Sequence, residues 1–131
     1  MQVLQSSTLP GSDEFRENAE AMEAHIQTFR EVEQKVLDLA ESAREKFTKR
    51  GKLLPRDRIN RLLDRGSEFL ELCSLAGYKM HDDKDGSQAG GGIIAGIGRV
   101  SGVRCLVVAS NSAIKGGTIT PAGLDKTLRL Q

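Results

Sequence analysis

Two β-rich runs, residues 93–100 (IIAGIGRV) and 103–109 (VRCLVVA), meet across Ser101-Gly102. A two-residue connection containing glycine between such runs predicts a β-hairpin. Leu106, Val107 and Val108 stand together, and an unbroken apolar run predicts a strand buried on both faces. A hairpin and a few helices leave such a strand uncovered on at least one edge. The rest of the chain must therefore be read for what could cover it. Gly96, Gly98 and Gly102 do not form G-x-G-x-x-G, and they fall inside strands and a turn rather than at a strand-to-helix junction. That argues against a dinucleotide site.

Upstream, residues 12–50 read as one long amphipathic helix. Ser12 is the expected N-cap, with Asp13 and Glu14 suiting the first turn's dipole. Apolar residues recur at Phe15, Ala19, Met22, Ile26 and Phe29, then resume out of phase at Val32, Val36, Leu39, Ala43 and Phe47. The stripe thus drifts around the helix and needs a partner surface, in this chain or another. Gly51 is expected to end it. Pro55 is expected to open a second helix with Ile59, Leu62 and Leu63 on one face and Gly66 just past its end. FLELCSLAGYKM, residues 69–80, reads as extended or mixed structure. Near the C-terminus, Thr120 is expected to cap a helix with Pro121 at its first position and Leu124 and Leu128 on one face. No closing signal follows that helix. With only two clear strands before it, the expectation is an incomplete domain, the beginning of a longer protein.

Bulk properties exclude several classes. Net charge is +1 and aromatics make up 4% of 131 residues, with no Trp. No nucleic-acid partner is expected, because both the basic field and the stacking platforms are scarce. No membrane partner is expected, because no apolar run approaches the ~20 residues that span a bilayer. Residues 1–15 contain no Lys or Arg, unlike a signal or transit peptide. Cys73 and Cys105 sit among apolar residues and read as buried small hydrophobes in a reducing compartment. These features together predict a cytoplasmic protein. The loop from His81 to Gly92 fails as a calcium site, since its first and last ligand positions are His81 and Gly92. His81 lacks a suitably spaced second His or Cys, so no metal is expected.

Three stretches carry a resemblance. They are GKLLPRDRINRLLDRGSEFLELCSLAGY, GGGIIAGIGRVSGVRCLVVASNSAIKGGTITP and LDKTLRLQ, in that order. They resemble the N-terminal part of carboxyltransferase (beta) subunits of biotin-dependent acyl-CoA carboxylases, the methylcrotonoyl-CoA and geranyl-CoA branch. The resemblance implies an α/β fold: the N-terminal part of a crotonase-like domain, over residues 51–131, behind a helical arm over residues 12–50 and a frayed or disordered start over residues 1–11. It implies an enzyme that transfers CO2 from carboxybiotin to a 3-methylcrotonoyl-CoA or geranyl-CoA type of acyl-CoA. The biotin would ride on a partner biotin carboxylase and biotin-carrier (alpha) subunit, and the beta subunits would form a homo-oligomer. In β-methyl unsaturated thioesters the γ-carbon accepts the carboxyl group, and the dienolate charge on the thioester oxygen needs preorganised N–H donors. Those lie later in the family's chains, so no catalytic residue is expected here and the fragment itself is expected to be inactive.

The stretch SNSAIKGGTITP, residues 110–121, is the one candidate site. The resemblance implies that it borders the CoA site, with Lys115 meeting a phosphate. An ammonium suits a phosphate as a point charge. Gly116 and Gly117 would let backbone N–H groups approach, and the following helix start adds a favourable dipole end. Alternatively Gly116-Gly117 only turns the chain and Lys115 is solvated. The basic residues Arg56, Arg58 and Arg61 are left outside the site, as bridges to acids on neighbouring helices. Ser110-Asn111 stands where the family commonly has Asn-Asp, and Ile119-Thr120-Pro121 where it often has Tyr-Tyr-Pro. Fewer aromatics near the acyl entrance leave room for a longer chain such as geranyl. Two rival functions remain: a crotonase-like acyl-CoA hydrolase, isomerase or decarboxylase, and a non-enzymatic helical interaction module.

Overall fold

The structure, a computed structural model, describes residues 6–81 and 83–131. Part of the expected frayed start, residues 1–5, lies outside the described residues. The chain divides into two units, Met1–Val32 and Glu33–Gln131.

Helix α1 (Asp13–Ser42) contributes to both. In the first unit, the Ser12 Oγ accepts from the Phe15 N–H at 3.1 Å, the expected cap. Phe15, Met22 and Phe29 are exposed there. The helical pattern read as continuous to residue 50 instead breaks at Ala43, and α2 (Arg44–Lys49) follows. The break coincides with the drifting stripe: Val36 and Ala40 are buried, whereas Leu39 is exposed.

The second unit holds the sheet. Gly51 ends α2 with φ +63, its N–H on the Thr48 carbonyl while the Lys52 N–H reaches Phe47. That pair of bonds satisfies the last carbonyls of the helix. Helix α3 (Pro55–Leu62) has Pro55 in its first turn, as expected. It stops before Gly66, which bends a separate turn at φ +75. Ile59 faces the core, but Leu62 faces outward.

Strands β1 (Leu70–Glu71), β2 (Ile93–Val100) and β3 (Val103–Ser110) form an antiparallel sheet in that order. The hairpin is the expected one. Ser101 and Gly102 have φ 51 and 78, the positive pair that suits the twist of a two-residue turn. The Asp64 carboxylate accepts from both of their N–H groups at 2.7 Å. One face of the hairpin carries Ile94 and Val107, which pack with Ile59 and with Leu63, Phe69, Val100, Cys105 and Ala109. The other face corrects an expectation. Leu106 and Val108 are 46% and 49% exposed, so β3 is not buried on both faces in this chain. Strand alternation sends Val107 inward and its two neighbours outward. Leu70, Ile97 and Leu106, partners across the three strands, make an exposed apolar row.

Glycines let the layers close. A side chain on Gly96 would come within 2.5 Å of both the Leu70 carbonyl and the Phe69 ring. Cys73 is exposed and Cys105 only partly buried, so neither is a fully buried hydrophobe. A second small core joins Val36 and Ala40 to Ala89 and Ile114, with Leu75, Tyr78 and Ala113 against it.

Candidate functional site

The segment after β3 leaves the sheet at Asn111, whose N–H donates to the Gly92 carbonyl at 2.7 Å. Its carbonyl accepts from the Ile114 N–H at 3.0 Å. Ile114 is buried and anchors the loop from below. The chain then rises into a 3-10 turn, Lys115–Gly117. Lys115, Gly116 and Gly117 have φ 44, 67 and 83, three successive left-handed residues. Glycine adopts this region freely, whereas a lysine there is strained.

Lys115 and Gly116 are exposed. The Gly117 and Thr118 N–H groups are engaged within the turn, by the Ile114 and Lys115 carbonyls. The Thr118 Oγ1 also donates to the Lys115 carbonyl at 2.9 Å. The backbone approach expected of Gly117 is thus already committed locally.

Helix α4 (Pro121–Arg129) follows, capped by Thr120 as expected, whose Oγ1 accepts from the Gly123 N–H at 3.1 Å. The same hydroxyl donates to the Gly91 carbonyl at 3.1 Å. Leu124 and Leu128 are exposed, and the buried face of α4 carries Gly123 and Lys126 instead. Gly91 and Gly123 lie backbone to backbone. A side chain on Gly91 would come within 2.6 Å of the Gly123 nitrogen, and one on Gly123 would overlap the Gly91 carbonyl.

Lys126 was not singled out from the sequence, yet it is 3% exposed. Its Nζ donates to the Ile93 carbonyl at 2.7 Å and to the Gly90 carbonyl at 3.4 Å. Burial holds its ammonium below the usual lysine value; Glu71 and Cys73 oppose that and Arg56 adds to it. A lysine one turn from the start of an amphipathic helix reads as solvated surface. Only the glycine run at 90–92, which admits close approach, hinted otherwise.

The arginine cluster splits up. Arg56 forms a two-pronged pair with Glu71 of β1, at 2.7 and 3.0 Å, bridging helix to strand rather than helix to helix. Asp57 binds Arg44 of α2, which also holds Glu41 of α1. Arg58 and Arg61 are exposed. The Arg44 guanidinium holds the carboxyls of both acids below their ordinary values. A cavity of about 210 Å³ lies under the loop, lined by Leu37, Ala40, Leu54, Arg56, Asn111 and Ala113 among others. Among the described residues, Arg56 Nε and Asn111 Oδ1 are buried without a protein partner. The Asp83 carboxylate, buried in the 81–92 loop, accepts from the Lys79 and Gln88 N–H groups and shapes that loop. Among the described residues no group of three His, Cys, Asp or Glu could hold a metal ion. No helix of the described residues is long and apolar enough to cross a membrane.

The chain thus joins a short antiparallel sheet, a glycine turn against a capped helix and a strained lysine loop. Residues 46–131 match the carboxyl transferase domain, and the chain belongs to that family. The crystal structure of the beta subunit of geranyl-CoA carboxylase from P. aeruginosa is similar over 98% of this chain, at 62% identity and a TM-score of 0.84. The probable mitochondrial methylcrotonoyl-CoA carboxylase beta chain of Drosophila melanogaster is 44% identical over 130 residues, 98% of this chain. The beta1 subunit of the biotin-dependent 3-methylcrotonyl-coenzyme A carboxylase of Mycobacterium tuberculosis is 53% identical over 91 residues, 70% of this chain. This chain spans 24%, 22% and 17% of those proteins, respectively. The fold is that of the corresponding part of carboxyltransferase beta subunits.

Proposed function

We propose that this chain is the N-terminal part of the carboxyltransferase subunit of a biotin-dependent acyl-CoA carboxylase. Residues 12–50 form the helical arm and 51–131 the start of a crotonase-like domain. The observation that carries the reading is the 62% identity to a geranyl-CoA carboxylase beta subunit across 98% of the chain. It also favours a branched, unsaturated acyl-CoA, with geranyl-CoA ahead of 3-methylcrotonoyl-CoA. Carboxybiotin, the second substrate, comes on an alpha subunit, and the beta subunits assemble with one another. A cytoplasmic setting fits the two free thiols, Cys73 and Cys105.

Within this chain, the loop 110–118 is the CoA-facing element. Lys115 supplies the charge for a phosphate, on a left-handed turn at Lys115–Gly117 that follows the buried Ile114. Since Gly117 and Thr118 already use their N–H groups, the ammonium is the principal contact. No residue here acts on the reacting carbon.

The test takes the complete subunit with its biotin-bearing partner, ATP and labelled bicarbonate. Label should enter geranyl-CoA or 3-methylcrotonoyl-CoA; no label in any acyl-CoA overturns the reading. In the same assay, Lys115→Ala raises KM for acyl-CoA by about tenfold and lowers kcat less, because the contact is remote from the reacting carbon. An unchanged KM removes Lys115 from the site.

A further inference from the structure

Four consecutive carbonyls, from Gly90 to Ile93, each accept a donor from beyond their own turn. Lys126 Nζ holds Gly90 and Ile93, the two ends of the turn. Thr120 Oγ1 holds Gly91. The Asn111 N–H holds Gly92. Gly92 also lies against the far side of the lysine loop, since a side chain there would come within 3.2 Å of the Thr118 carbonyl. Both ends of the candidate loop, Asn111 and Thr118–Thr120, therefore rest on one glycine turn. The span of that turn is clamped by a single ammonium.

We propose that Lys126 is a positioning residue for the CoA-facing loop: its ammonium clamps the Gly90–Ile93 turn, on which both ends of the loop are seated. This rests on the reading of the loop given above. Lys126 is 3% exposed, so it does not meet the substrate itself. A hydrogen bond from a charged donor is stronger than a neutral one, and Lys126 reaches both ends of the turn, Ile93 at 2.7 Å and Gly90 at 3.4 Å. Removing it leaves the Gly90 carbonyl, among the described residues, only the Ile93 N–H within the turn, and frees the Ile93 carbonyl of this donor. The turn then opens, and the loop's two seats move apart. The remote geometry of Lys115 changes while the reacting centre does not.

The test uses Lys126→Met in the complete subunit with its partner. Asp64→Ala serves as the control. Asp64 caps the hairpin at Ser101 and Gly102, the end of the sheet remote from the Ile93↔Ser110 pair. Its loss weakens the fold without touching the glycine turn. Lys126→Met is expected to raise KM for acyl-CoA roughly tenfold, less than the hundredfold that a 1 Å error beside reacting groups costs. Here kcat and KM for carboxybiotin stay near wild type. Amide exchange at residues 115–118 is expected to accelerate by about tenfold. Thr120→Val, which removes the Gly91 bond and the α4 cap together, shifts both readouts the same way by less, and it stands in if Lys126→Met fails to fold. Unchanged exchange at 115–118 in the variant that folds overturns the proposal. So does an equal rise in KM and exchange in Asp64→Ala. If wild type carboxylates no acyl-CoA, the functional reading falls, while the exchange measurement still decides whether Lys126 holds the loop.

Discussion

At the scale of single residues, the structure depends on where side chains are absent or neutralised. Gly96 is the sharpest case. Gly96→Ala would push a methyl group into the Leu70 carbonyl and the Phe69 ring. The expected loss is about 1–3 kcal/mol, the usual range for overpacking, read as a lower urea midpoint with an unchanged slope. Lys126 adds a pH signature. Its folded value is lowered by burial, offset by Glu71 and Cys73 and reinforced by Arg56. The unfolded chain therefore binds that proton more tightly. This group's contribution to stability rises as pH climbs from the lowered value toward about 10.4, and is flat above it. Urea titrations across that range should show an extra alkaline slope in wild type that Lys126→Met lacks; equal slopes would refute it. Neither residue was legible as such. A strand glycine signals close approach without naming the neighbour. A helix lysine looks solvated until the fold places carbonyls over it.

Elements were more legible where their punctuation is local. The hairpin, the Thr120-Pro121 helix start, the Pro55 start and the Gly51 stop all follow from a few adjacent residues. Gly51 has φ +63 with open space around it. Gly51→Ala thus adds only the left-handed penalty, about 1 kcal/mol, and thermal unfolding should register it as a small drop in Tm. Elements defined by distant partners were not legible. Strand β1 is two residues long and exists because Leu70 and Glu71 meet Ile97 and Gly96. The helix break at Ala43 and the early end of α3 before Gly66 likewise reflect packing. The Lys115–Gly117 loop was legible as a glycine turn, but the commitment of the Gly117 and Thr118 N–H groups was not, since it depends on the turn's closure.

For the whole molecule, the apolar row Leu70, Ile97 and Leu106 lies open across all three strands, ending on the edge strand β3. An open apolar sheet face beside an edge strand makes the isolated 131-residue chain sticky. It should bind a hydrophobic dye, and Leu106→Lys should cut that signal by about half or more while sparing the fold, because outward positions tolerate charge. Equal dye binding would place the exposed surface elsewhere. The run Leu106-Val107-Val108 could not reveal this, since a strand's apolar content does not say which face finds cover. The contact between Gly91 and Gly123 works in the opposite direction. Each closes off the space into which the other could grow, so enlarging either leaves no partner change that makes room. A selection for folded variants from a library randomised at both sites should return glycine at the two together, a pair that natural drift cannot leave one step at a time.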